Sequence, residues 1–301
     1  MVRGTTRPLR PVNFFRAVLV VLLSSQAMLA CVQAVHLRPP DAALTSADAV
    51  LAKVTERTSR LHSLSVEARV SYYGKDGARK AKAVILARRP AALHFSVYSP
   101  TDDLLAVLAS DGEHFTSFER GAPTCFTGRS CAENIGHFSF FPLEGELLVE
   151  ALLGGVPLIW SRKASVTWDA SSGTYRVELI GSRKVTQSIW VTQGTWEVVR
   201  TEILRAGVLE ISIAFEDVKT VGGSRLPHTI SMKMPERELD LRVRYREVDL
   251  NTKIDDEAFQ IPCPDGTSTQ TLLCYHQLPD PQSRRGRIKW SKPRKDDADG
   301  S

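Results

Sequence analysis

Cysteine is the residue type with the most chemistry on offer in this chain, and there are five of them. Cys31 stands alone behind an apolar stretch, whereas Cys125 and Cys131 lie in CFTGRSC and Cys263 and Cys274 in CPDGTSTQTLLC. Neither cluster has the C-x₂-C spacing of a four-thiolate zinc site or a C-x-x-C redox pair. Four cysteines admit three connectivities, and nearness in sequence favours two small loops, Cys125–Cys131 and Cys263–Cys274. Such bonds persist in the oxidising compartment that an exported protein meets. The seven histidines are dispersed. His94 and His114, in neighbouring strand patterns, could face one another, although strand histidines are more often surface residues than ligands. Asp102 and Asp103 could attract a cation, but paired acids in a loop are usually a solvated turn. There is no G-x-S-x-G, P-loop, H-E-x-x-H or G-x-G-x-x-G. The expectation is a binding protein without catalytic residues, metal or cofactor.

Arg3, Arg7, Arg10 and Arg16 precede an apolar run over residues 17–30. The run has signal-peptide length and is too short, and too polar at Gln26, for a membrane-spanning helix. It ends in Met28-Leu29-Ala30-Cys31, which resembles a bacterial lipobox. Met28 and Leu29 depart from the usual Leu and small residue at those places. The alternative is an ordinary secretory signal with an incidental cysteine. Lipidation is favoured because the other four cysteines need no fifth partner. Several acyl chains on Cys31, palmitate among them, would make a stable anchor where one chain would not. Val32 after the cysteine, rather than Asp, points to the outer membrane in the enterobacterial sorting code. The chain then divides into a signal peptide (1–30), a lipidated tether with Pro39 and Pro40 (31–44), a folded domain (45–278) and a basic tail (279–301).

A length of 301 residues with 43% hydrophobic and 24% charged residues is ordinary for a globular protein with a sizeable core. The net charge of +5 sits at the ends. The first 30 residues hold four bases and no acid, and the tail after Ser283 holds seven bases against three acids, leaving the body at −3. A mildly acidic body excludes a nucleic-acid groove. The tail composition predicts a disordered segment, read either as an electrostatic attachment to anionic lipid or polysaccharide or as a solvated end.

The elements that must position any site are mostly strands. Thr45–Asp48 fits a capping box for a helix through Val50, Leu51, Val54 and Leu61, ending near His62. Period-two alternation then predicts strands near 64–72, 80–88, 93–97, 104–110 and 114–119. After the first cysteine loop and a helix, seven more follow at 164–169, 174–180, 184–192, 195–204, 208–218, 229–234 and 239–248. Alternation such as Leu209, Ile211, Ile213 and Phe215 against Glu210, Ser212 and Glu216 gives one buried and one wet face. Between the two sets, Phe138–Pro157 is apolar on nearly every helical face, with Pro142 able to open a helix and Gly154-Gly155 to stop it. That pattern fits a core helix or a lid. The fold class expected is mainly β: an unclosed, strongly curved antiparallel β-barrel with an N-terminal helix and a central helical lid. A transmembrane barrel is disfavoured because aromatic girdles are not evident.

This order of elements behind a lipobox resembles the LolA/LolB lipoprotein-carrier superfamily, over roughly residues 45–262. Pro142-Leu143 and Leu147 through Leu152-Leu153-Gly154 to Pro157 look like the lid segment of the LolB branch. The resemblance implies a hydrophobic cavity holding acyl chains of lipoproteins or phospholipids. Its walls would be Phe95, Val97, Ile211, Ile213, Phe215, Met232, Leu241 and Val243, and its lid Leu143, Leu147, Leu148 and Leu152. Ser99-Pro100-Thr101 matches an Asn-Pro-Leu loop from which, in that branch, an apolar residue delivers cargo to the membrane. Here Thr101 is polar, with Leu104 and Leu105 soon after. The implied role is lipoprotein localisation, lipid-anchored in the cell envelope at the periplasmic side of the outer membrane, with a periplasmic LolA-like carrier as a partner. The alternative is a lipid-anchored interaction or envelope-sensor module with the same fold. A core filled by its own side chains would give the same alternation as a cavity.

Overall fold

The computed structural model describes residues 37–75, 77–139 and 143–274, in a unit that begins at Arg38. The segment expected to be a signal peptide, Cys31, Pro142 and the basic tail lie outside the described residues. The chain runs α1 (Ala47–Thr58), β1 (Ser63–Gly74), β2 (Gly77–Arg88), β3 (Ala92–Tyr98), β4 (Leu104–Ser110), β5 (His114–Glu119) and β6 (Thr124–Arg129). Two short helices follow, α2 (Ala132–Ser139) and α3 (Gly145–Leu152). Then come β7 (Lys163–Asp169), β8 (Thr174–Ile180), β9 (Val185–Thr192), β10 (Val198–Arg205), β11 (Val208–Val221), β12 (Ser224–Met234), β13 (Leu239–Leu250) and β14 (Ser268–Leu272). One 14-stranded sheet results, ordered β14-β6-β5-β4-β3-β2-β1-β13-β12-β11-β10-β9-β8-β7. The end strands β14 and β7 do not pair, so the curved sheet stays open, as expected.

Twelve strands fall where alternation places them. The capping serine of α1 is Ser46, whose side chain accepts from the Ala49 amide at 3.4 Å, one residue later than the capping box implied. The central apolar stretch carries α3, which starts at Gly145, and a further short helix, α2, comes just before it and ends at Ser139.

The strands that alternation missed, β6 and β14, correct the disulfide reading. They pair in parallel, Ser268 opposite Thr124 through Leu272 opposite Gly128, the one parallel ladder among the described strands. Two segments aligned in the same direction put first cysteine beside first and second beside second. The bonds are therefore Cys125–Cys263 and Cys131–Cys274, with Cα separations of 5.8 and 6.1 Å that a disulfide spans unforced. The local loops Cys125–Cys131 and Cys263–Cys274 do not form. Gly128 permits this ladder: at φ 154°, an added Cβ would lie 2.4 Å from the Leu272 carbonyl oxygen. Short polar strands such as STQTL carry no amphipathic signal, because both their faces are wet.

β12 belongs to two ladders that part company. It pairs with β13 from Thr229 to Met234, but with β11 as far back as Ser224. A positive φ at Asp217 and a register shift on β13, which leaves Arg246 unpaired opposite β1, flank the place where the strands separate. A slot opens there in the wall of the sheet.

Non-reducing peptide mapping should recover 125–263 and 131–274 links and no 125–131 link. Replacing Cys125 and Cys263 together by serine should lower unfolding free energy by about 2–5 kcal/mol, measured by denaturant titration.

Candidate functional site: the helical cover of the concave face

The apolar sides of the strands form one concave surface, and three helices lie on different parts of it. α1 packs on β7 and β8, α2 on β4, and α3 on β2 and β3. Around the start of α1, Tyr175 stacks on Trp196 at 5.8 Å and meets Trp168 edge-on at 5.3 Å, and the Tyr175 hydroxyl accepts from the Leu44 amide. α2 wedges Phe138 between Phe115 and Phe126 at 5.7 and 5.2 Å.

α3 sits deepest. Leu148 and Val149 are fully buried, Ala151 and Leu152 nearly so, and Leu143 just before the helix is buried too. Leu147 is half-buried. The strand side chains nominated as cavity wall meet these leucines in one continuous cluster: Phe95, Ile211, Ile213, Phe215, Met232, Leu241 and Val243 are all buried in it. Val97 alone is half-buried and outside it. In this state the concave face is filled by the protein's own helix.

Polar contacts fix α3 at its C-terminal end, where the backbone carbonyls lack partners within the helix. The buried Tyr245 hydroxyl donates to the Leu152 carbonyl at 3.0 Å, and burial pushes its pKa strongly up. Arg57, at the end of α1, donates to the carbonyls of Gly154, Trp196 and Arg225 at 2.8, 3.2 and 3.0 Å. One guanidinium thus ties α1, the stop of α3 and the far sheet together, and burial lowers its pKa while Glu197 opposes that. On the outer turn of α3, Glu150 forms a half-buried ion pair with Arg89, which also donates to the Leu61 carbonyl at 2.8 Å. Gly154, at φ 72°, closes the helix: its missing Cβ would lie 2.7 Å from Pro227 Cδ in the slot beside β12.

Beyond Gly154 the chain is strapped to β9 by Gln187, which is fully buried. Its amide nitrogen donates to the Pro157 carbonyl at 2.7 Å and to Thr201 Oγ1 at 2.9 Å, and its oxygen accepts from the Ile159 amide at 3.0 Å. Arg57, Tyr245 and Gln187 were not singled out from sequence. A glutamine inside the apolar run of β9 was the available signal, since a buried amide needs partners.

The loop nominated for cargo delivery is a hydrogen-bonded polar turn. Ser99 Oγ accepts from the Thr101 and Asp103 amides, both at 3.1 Å, and Thr101 Oγ1 donates to Asp103 Oδ2 at 2.9 Å. Lys82 pairs with Asp102 and Arg120 with Asp103, so these acids are held by cations of the protein itself. Pro100 and Thr101 are exposed and Leu104 is half-buried. Leu105 is exposed, at the bulge where Tyr98 pairs with Leu104 and Val97 with Ala106.

His94 and His114 do not face one another, because β4 runs between their strands. His94 instead bridges the Ala258 carbonyl (2.6 Å from Nδ1) and Ser96 Oγ (2.7 Å from Nε2), an arrangement that satisfies the neutral ring. Burial lowers its pKa, and the Ala258 bond opposes this in part. Among the described residues no group of His, Cys, Asp and Glu could hold a metal ion, and no helix is long and apolar enough to cross a membrane. A pocket of about 390 Å³ opens at the slot between β12 and β13. Glu216, Lys219, His228, Arg244 and Arg246 among others line it, so it is polar and distinct from the apolar interior.

No family model matches the sequence, and no curated protein matches it. Solved structures do. A LolA superfamily protein from Nitrosomonas europaea is similar at 15% identity over 72% of this chain and 98% of its own, with a TM-score of 0.49. A DUF1329 family protein from Desulfovibrio piger is similar at 11% identity over 71% and 96%, with a TM-score of 0.50. A domain from Vibrio parahaemolyticus named for outer membrane lipoprotein sorting is similar at 11% identity over 71% and 97%, with a TM-score of 0.45. At such identities the likeness is one of fold alone.

Tyr245→Phe should leave the Leu152 carbonyl unpaired in the interior and cost about 1–3 kcal/mol, read by denaturant unfolding with amide exchange faster at the end of α3. His94 favours its neutral form when folded, so its contribution is complete above the ordinary histidine value of 6.5 and is lost as pH falls through its lower folded value. Thermal midpoints should therefore fall as pH drops from 6.5 towards that lower folded value and level off beneath it, and fall less in His94→Gln.

Proposed function

We propose that this protein, built on the open-sheet architecture of the LolA/LolB type, is a binding protein that holds acyl chains of lipoproteins or phospholipids between α3 and the concave face of its sheet. The observation that carries this reading is that part of the apolar interior is supplied by one short helix lying on the sheet. α3 is a short helix of eight residues whose apolar side chains complete the core, yet its outer turn is held by an ion pair and its end by a few carbonyl contacts. Swinging α3 outward would bare Phe95, Ile213, Met232 and Leu241 without breaking any strand pairing. Each methylene of an acyl chain laid there returns about 0.8 kcal/mol, which offsets the exposure of Leu148 and Leu152. Cargo burial and lid burial are then alternatives, and release is the return of α3.

In this reading the chain is anchored through acylated Cys31 in the cell envelope, at the periplasmic side of the outer membrane. It takes lipoprotein cargo from a LolA-like carrier and does no covalent chemistry. The polar Ser99–Asp103 turn leaves Leu105 as the apolar residue of that loop exposed to receive or pass on an acyl chain. A second reading, an anchored interaction or envelope-sensor module, draws support from the filled interior, which would then be simply a core.

Uptake of a fluorescent fatty acid by the full chain carrying Cys31→Ser separates the two. The acyl-binding reading expects saturable uptake, several-fold faster in Glu150→Gln, where the outer latch of α3 is cut. A folded, monodisperse sample that takes up no probe, with or without Glu150→Gln, sinks that reading. Retention of a protein partner after Leu147 and Leu148 are made polar would favour the second.

A further inference from the structure

We infer that one rim of the sheet, made by the segment entering β7 and the β8–β9 and β10–β11 turns, docks on anionic phospholipid bilayers. Single exposed apolar side chains are normal on any surface and need no account. Their distribution here does. Among the described residues seven large hydrophobics are exposed: Leu37, Tyr73, Leu105, Trp160, Ile180, Val208 and Leu273. Strand directions place five of these on the same rim. β1 ends at Tyr73, β4 begins beside Leu105, β7 follows Trp160, β8 ends at Ile180 and β11 begins at Val208, and the antiparallel ladders put all those strand ends on one side.

Three of the five belong to neighbouring segments. The Arg162 amide donates to the Ile180 carbonyl at 2.8 Å, and the Ala206 amide to the Lys184 carbonyl at 2.9 Å. Trp160, Ile180 and Val208 thus stand on adjoining protrusions rather than over a common hollow. Between them lie the exposed bases Arg162, Lys163, Arg183 and Lys184, none in an ion pair among the described residues. Residues 160–163, 180–185 and 205–208 contain no acid, although residues 31–283 carry a net charge of −3. Arg162 lies over the Trp160 ring at 5.6 Å, a pairing of indole and cation suited to the headgroup layer.

Backbone conformation is a separate observation. Arg183 and Lys184 both have positive φ, 54° and 59°, and the Val185 amide closes the turn onto the Ser182 carbonyl at 3.1 Å. Two consecutive left-handed residues make a type I′ hairpin turn, for which Asn-Gly is the usual pair. Arginine and lysine fit those angles poorly, and such strain concentrates where side chains have work to do. Bases projecting at the tip, apolar side chains beside them and a tryptophan at the edge match an anionic, fluid surface. A folded protein partner would instead call for a continuous apolar centre inside a polar rim. The surface is independent of acyl-chain binding, since none of its exposed side chains (Trp160, Arg162, Lys163, Arg183, Lys184 and Val208) belongs to the core cluster.

The test is co-sedimentation of the full chain carrying Cys31→Ser with phosphatidylcholine vesicles, with and without phosphatidylglycerol. Basic segments elsewhere contribute equally to every variant, so comparison between variants isolates the rim. Arg183→Gly with Lys184→Gly suits the turn, folds, and should weaken binding to the anionic vesicles about tenfold or more. Trp160→Ala should weaken it further, and fatty-acid uptake should be unchanged in both. Anionic vesicles should also slow amide exchange in residues 180–185 and 205–208 of the unsubstituted chain. Equal binding by the glycine variant, or no slowing in those residues while the chain is vesicle-bound, overturns the inference.

Discussion

An open sheet has one face too many. Fourteen strands that never close present an apolar concave surface with no second sheet to cover it. The rest of the described structure is organised by that deficit. α1, α2 and α3 are short, each is laid on a different set of strands, and none spans the surface alone. The cover is therefore assembled from pieces, and its seams must be closed by polar groups that the interior can tolerate only when fully paired. Arg57, Tyr245, Gln187 and the Arg89–Glu150 pair sit at those seams. A closed barrel would have no need of them.

Burying Leu148 and Leu152 contributes to stability in the way any core residue does. The polar contacts of Leu152, Gly154 and Glu150 lie at the C-terminal end of α3, where the half-buried Glu150 is within reach of water. The helix is thus held by burial along its inner face and by polar groups at its close. The pairing of β12 with β13 begins at Thr229, and Gly154 packs against Pro227 just before that point. The wall of the sheet is shaped around the cover as much as the cover is shaped to the wall.

Much of this was legible in the sequence and the remainder has physical reasons for being hidden. Strands with one wet and one dry face, such as β11 and β13, announce themselves by alternation. β14 is wet at nearly every position and β6, TCFTGR, is half-buried at most of its positions, so neither alternation nor apolarity marks them, and with them went the disulfide pairing. The apolar stretch around Leu148 was visible, but an all-round apolar pattern does not say where along it a helix begins, which is at Gly145. Arg57 looked like any base in the last turn of a helix; its carbonyl partners lie 97, 139 and 168 residues away, a separation at which local pattern is silent. Thr101 departs from the apolar residue of the resembling branch, and in the structure it is the middle of a self-satisfied polar turn.

The crossed disulfides bear on how the chain is made. Cys125 and Cys131 leave the ribosome together, and Cys263 and Cys274 follow together, so an oxidant acting in order of arrival would join neighbours. The native bonds join the first cysteine of the early pair to the first of the late pair and second to second, across 138 and 143 residues. They must wait for the whole of β7–β13 to be synthesised. Correct assembly then calls for thiols kept reduced until the late pair arrives, or for thiol–disulfide exchange that undoes the neighbour bonds.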